Sequence, residues 1–108
     1  MRLRRDETPF AELVDRQLAL FAEDEAELLA EAAEAEAAWV RAGRDVAEES
    51  YGDFQLVVDA IADQLLALRE TYARTLETET ADAYRVAFAA GASRRFRRYS
   101  SLVADLEP

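Results

Sequence analysis

The sequence contains no cysteine, no histidine and no lysine. Without cysteine there is neither a disulfide framework nor a thiolate metal site. The missing histidine removes the commonest general base near neutral pH and the commonest zinc ligand. The missing lysine excludes Schiff-base chemistry on that side chain. Turn formers are scarce as well: Gly43, Gly52 and Gly91 are the only glycines and Pro9 and Pro108 the only prolines in 108 residues, too few for a sheet protein with its frequent tight turns. No apolar run reaches the 18 residues of a membrane-spanning helix. The arginine-rich start leads into Asp6, Glu7 and Pro9 rather than an apolar signal core. The expectation is a soluble, cytoplasmic, all-α protein forming a single domain over residues 1–108.

Charge is abundant, and it is sorted. Residues 6–82 hold 21 acidic side chains against five arginines, whereas residues 83–104 hold five arginines and no acid. Arg2, Arg4 and Arg5 precede the acidic stretch, and the formal net charge is −10. A chain arranged in this way presents a long acidic face and a compact basic element, a layout that steers association.

Periodicity gives the elements. Thr8 and Pro9 form an N-cap followed by proline at the first helical position, where its missing N–H costs nothing. Val14, Leu18, Phe21, Leu28, Ala32, Ala35, Trp39, Ala42 and Val46 then recur at alternating spacings of four and three, with Glu25 in the one charged slot. That is the seam of a helix lying along a near-parallel neighbour. It predicts helix 1 over residues 9–49, roughly 60 Å at about 1.5 Å per residue. Ser50-Tyr51-Gly52-Asp53 is the turn candidate. Helix 2 follows over residues 53–77 with Phe54, Val58, Ile61, Leu65, Leu68 and Tyr72 on its seam, antiparallel to helix 1 because the connection is short. The threonine-rich stretch Thr75–Asp82 predicts a turn near residues 78–80, with Thr80 as a new N-cap. Helix 3 resumes over residues 81–106, with Tyr84, Phe88, Ala92, Phe96, Tyr99, Val103 and Leu106 on one face and Gly91 either bending it or admitting a close neighbour. Alanines dominate the helix 1 seam between Leu28 and Ala42 and bury little area. A hairpin with that seam needs either helix 3 or a second chain to complete it, and a dimeric helix bundle is the expected assembly.

Three groups of residues invite a chemical reading. The acidic run Glu23, Asp24, Glu25, Glu27, Glu31, Glu34 and Glu36 suggests a carboxylate-only metal site, but a di-metal bundle also uses histidine and no calcium-loop motif is present. A solvated helix face fits better. Glu25 reads as a side chain reaching solvent from an uncovered part of the seam. Trp39, Tyr51, Phe54 and Tyr72 could gather as an aromatic cluster, though at helical spacing they fit a core. The most specific patch is Arg94-Arg95-Phe96-Arg97-Arg98-Tyr99, with two aromatics on one face and arginines around them. It could grip phosphates, anionic lipid or an acidic protein surface; the net negative charge disfavours nucleic acid. As one continuous arm with helix 2, helix 3 would place these arginines near residues 6–10; turned back near Thr80, it would reach the Trp39–Glu49 end. Neither fold carries them onto the 23–36 run, so a second chain is the expected source of neutralisation.

The sequence thus points to a non-catalytic helical interaction or scaffold protein, self-associating as a dimer or bound to another helical protein. No cofactor or catalytic residue is indicated. Partner-binding residues are Arg94, Arg95, Phe96, Arg97, Arg98 and Tyr99. The alternatives are an anionic-ligand binder using that patch and a carboxylate-only metalloprotein.

Overall fold

The computed structural model describes residues 9–99 and 106. Its helices are α1 (Ala11–Asp24), α2 (Ala26–Arg41), α3 (Ala47–Ala73) and α4 (Thr78–Arg95), with no strand among the described residues. α1 and α2 are two halves of one path, separated by Glu25 alone. Hydrogen bonding continues across the break, from the Glu25 N–H to the Phe21 carbonyl at 2.8 Å and from the Leu29 N–H to the Glu25 carbonyl at 3.0 Å. α2 packs on α3 and α1 on α4, while α3 and α4 also touch. Ring contacts give the directions. Phe10 and Phe21 meet Tyr84 and Phe96, so α4 runs parallel to α1, and Trp39 stacks on Phe54 across the short connection, so α3 runs back along α2.

The seam residues form the core. Val14, Leu18 and Phe21 of α1, Phe54, Val58, Ile61 and Leu65 of α3, and Tyr84, Phe88 and Ala92 of α4 are buried together, joined by Phe96, Tyr99 and Leu106. α2 contributes one fully buried residue, Ala32, with Leu28, Leu29 and Ala35 partly covered. That thin contribution is what an alanine seam provides. Gly91 serves close packing: a Cβ there would lie 2.6 Å from Val14 Cγ1 and 3.3 Å from Leu18 Cδ1. Val103 and the expected N-cap Thr8 lie outside the described residues.

The element boundaries differ from the sequence expectation in four places. The first helix does not run to residue 49: it breaks at Glu25 and stops at Arg41. Glu23, Asp24 and Glu25 crowd the last turn of α1, where the helix dipole disfavours negative charge, and Glu23 and Glu27 repel one turn apart. The first turn falls at residues 42–46, around Gly43, rather than at residues 50–53. Gly52 lies inside α3, whose first turn carries Glu48 and Glu49 at the favourable end of the dipole. The second turn comes at residues 74–77, where the Thr75 hydroxyl donates to the Tyr72 carbonyl at 2.7 Å, so α4 starts at Thr78 rather than beyond Thr80. α4 ends at Arg95, with Phe96 as its C-cap, well before residue 106. Phe10, the N-cap of α1, holds a left-handed φ of 72°. That conformation costs a non-glycine residue about 1 kcal/mol, and the edge-on contact of its ring with Tyr84 at 5.5 Å helps to hold it there.

Candidate functional site

The arginine patch begins in the last turn of α4 and continues through the turn that follows it. Phe96 and Tyr99 point into the core, whereas Arg94, Arg95, Arg97 and Arg98 are exposed. Arg94 approaches Asp15 of α1 at 3.8 Å. Arg98 donates to the Glu36 carboxylate of α2 and lies 5.7 Å from the Tyr99 ring centroid. Burial pushes the Tyr99 phenol above its ordinary pKa. The expectation that neither fold carries these arginines to the 23–36 run is therefore corrected at its far end: Arg98, in the turn past the end of α4, reaches Glu36 of α2. Arg95 and Arg97 make no ion pair among the described residues. An anion here would meet the unfavourable carboxyl end of the α4 dipole as well as two partly neutralised arginines.

Beside this patch the aromatic residues form a ladder. Trp39 stacks on Phe54 at 5.7 Å and 16°, Tyr51 lies 4.8 Å from Trp39, and Phe54 touches Tyr99 at 6.0 Å. Tyr72 stands apart, against Tyr84 at 4.8 Å. The ladder runs from the core outward, ending at Trp39 (36% exposed) and Tyr51 (43%). Val40 (75%) and Val46 (49%) are exposed on either side of the connection. Arg41, Arg44, Asp45, Glu48 and Glu49, next to them in the sequence, are all exposed.

Two polar arrangements had no signature in the sequence. Glu70 of α3 accepts both arms of Arg85 of α4, at 2.9 and 3.0 Å, and also Arg69 Nε at 2.8 Å; Arg85 further donates to Asp82. The Arg85 hydrogen bonds hold the Glu70 carboxyl down to about 2 against an opposing push from burial, and Arg69 adds to the lowering. Arg69 also donates to the Leu106 carbonyl at 3.2 Å. The second arrangement is the buried Tyr84 hydroxyl, which donates to Gln17 Oε1 at 2.7 Å. Burial pushes that phenol up to about 12, the Gln17 contact opposing it only in part. Both arrangements fasten α4 in place, Glu70–Arg85 to α3 and Tyr84–Gln17 to α1.

A groove of about 400 Å³ lies between α1 and α3. The α1 wall is Gln17, Leu20, Phe21, Asp24 and Glu25; the α3 wall is Gln64, Ala67, Leu68 and Thr71. No Cα atom of one helix comes within 8 Å of a Cα atom of the other, because α1 leans onto α4 while α2, past the Glu25 break, takes the neighbouring face of α3. Glu25 is half-buried on this wall.

Among the described residues no three acidic side chains converge as a metal site would require, and no helix is long and apolar enough to cross a membrane. A comparison with protein-family models, curated proteins and solved structures gives no match.

Proposed function

We propose that the protein is a non-catalytic helical interaction subunit that self-associates through the α2–α3 end. The observation that carries this reading is the exposure of Trp39, Val40, Val46 and Tyr51 in and beside the α2–α3 connection, with exposed charges of both signs next to them in the sequence. A two-fold contact must be self-complementary. Exposed charges of both signs meet that need, since Arg41 and Arg44 of one copy can face Glu48 and Glu49 of another. The expected product is a dimeric helix bundle with an apolar centre and a paired rim. Binding of anions through Arg94, Arg95, Arg97 and Arg98 is the weaker reading, because Arg94 and Arg98 already face Asp15 and Glu36. A carboxylate metal centre is weaker still, given that the acids do not converge among the described residues.

Light scattering tests the proposal. The expected result is a dimer of the wild-type chain that becomes a monomer on Val40→Glu or Val46→Glu, with helical circular dichroism preserved because both side chains are exposed. A wild-type monomer, or a dimer indifferent to both changes, refutes the assignment.

A further inference from the structure

We infer that the α1–α3 groove is a second interaction site, which takes a basic amphipathic helix from another protein. Three observations carry this. First, the walls repeat at helical seam spacing: Leu20, Phe21 and Asp24 stand at intervals of one and three on α1, and Gln64 and Leu68 stand four apart on α3. Both helices therefore present a stripe toward the space between them, as two members of a bundle present stripes to a third. Second, the floor is apolar and open. Leu20 is 58% exposed, and Phe21 and Leu68 line the same space. Third, the charge at one end is of one sign. Asp24 and Glu25 lie on the α1 wall, and exposed Asp63 precedes Gln64 on the facing helix. None of these three makes an ion pair among the described residues. The groove extends about two helical turns, roughly 10 Å, long enough to receive two apolar side chains one turn apart with a guanidinium or ammonium at the acidic end.

This site is separate from the α2–α3 end. The groove is lined by α1, Glu25 and the second half of α3, and shares no residue with Trp39, Val40, Val46 and Tyr51, so the groove can fail without affecting the dimer, and the dimer can fail without affecting the groove.

The test measures binding of two labelled amphipathic peptides to the full chain by fluorescence anisotropy. The peptides share a leucine stripe at i, i+3, i+7 and differ in carrying arginine or glutamate on the remaining face. The arginine peptide is expected to bind at least about tenfold more tightly than the glutamate peptide. Leu20→Glu and the pair Asp24→Asn with Glu25→Gln should each weaken it by about that factor, with circular dichroism unchanged. Glu31→Gln with Glu34→Gln, on exposed α2 positions outside the groove, removes the same charge and should leave binding within about twofold. Equal loss at these control positions would reduce the effect to diffuse attraction and overturn the inference. So would absence of binding, or binding accompanied by dissociation of a dimer, which would make a second copy the occupant. Binding that appears only after removal of residues 1–8 would assign the groove to the chain's own arginine-rich start and equally overturn it.

Discussion

Gly52 and Gly91 both sit inside helices, but the Cβ each lacks would meet different surroundings. Nothing lies within 4 Å of a Cβ at Gly52, on the exposed side of α3. Gly52→Ala should therefore stabilise the protein by about 0.5–1 kcal/mol, through helix propensity and a less free unfolded chain. At Gly91 the new methyl would meet Val14 Cγ1 at 2.6 Å in the α1–α4 contact. Gly91→Ala should destabilise by about 1–3 kcal/mol, since α1 would have to shift. Chemical denaturation of the two variants checks the opposite signs, and a destabilised Gly52→Ala would contradict the placement of residue 52 within α3. This contrast also shows why the first turn was not legible from residue types. A glycine in the stretch Ser50-Tyr51-Gly52-Asp53 resembles a turn, yet one glycine costs a helix only about 1 kcal/mol, less than the packing of Phe54 and Val58 returns. The turn at residues 42–46 lets Trp39 and Phe54 stack, a long-range gain that no local signal encodes.

At the scale of elements, the legible part was the local part. The four-three alternation named the faces of α1, α3 and α4 correctly, because a seam is a property of one helix: Val14, Leu18, Ile61, Leu65, Tyr84 and Phe88 are all buried. The clasp between α3 and α4 was not legible, since Glu70 and Arg85 meet only when the turn falls at residues 74–77. That clasp has a pH signature. Glu70 is held at about 2 in the folded protein, below the ordinary glutamate value of about 4.3 in an unfolded chain. A depressed carboxyl pKa contributes stability above the unfolded value and loses it as pH falls toward the folded one. The side chain is 29% exposed, so solvent screening reduces the contribution to on the order of 1–2 kcal/mol. Wild-type stability should fall between about pH 4.5 and pH 2 more steeply than that of Glu70→Gln, which has no proton to gain there. Urea unfolding of both proteins across that window measures the difference; parallel curves would remove Glu70 from the acid response.

For the whole molecule, charge segregation was visible in the sequence, but the way the fold uses it was not. Arg98 reaches Glu36 and Arg94 approaches Asp15 only because α4 returns parallel to α1. The rest of the acidic face stays uncompensated: Glu23, Asp24, Glu27, Glu31 and Glu34 make no ion pair among the described residues and are all exposed. With a net charge of −10, repulsion along α1 and α2 outweighs the few exposed attractive pairs, each worth at most about 1 kcal/mol. Screening therefore removes more destabilising energy than stabilising energy. Between about 10 mM and 200 mM sodium chloride the Debye length drops from about 30 Å to below about 10 Å, so charges a helical turn or two apart along the face largely cease to interact. The melting temperature should rise by a few degrees over that range. Replacing Glu31 and Glu34 with glutamine should reproduce part of the rise at low salt, because it removes the same repulsion directly. A melting temperature that falls with salt would mean that the paired contacts at Glu36, Asp15 and Glu70 dominate the electrostatics. The acidic face would then be balanced within the fold, and its charge could not be held in reserve for a basic partner.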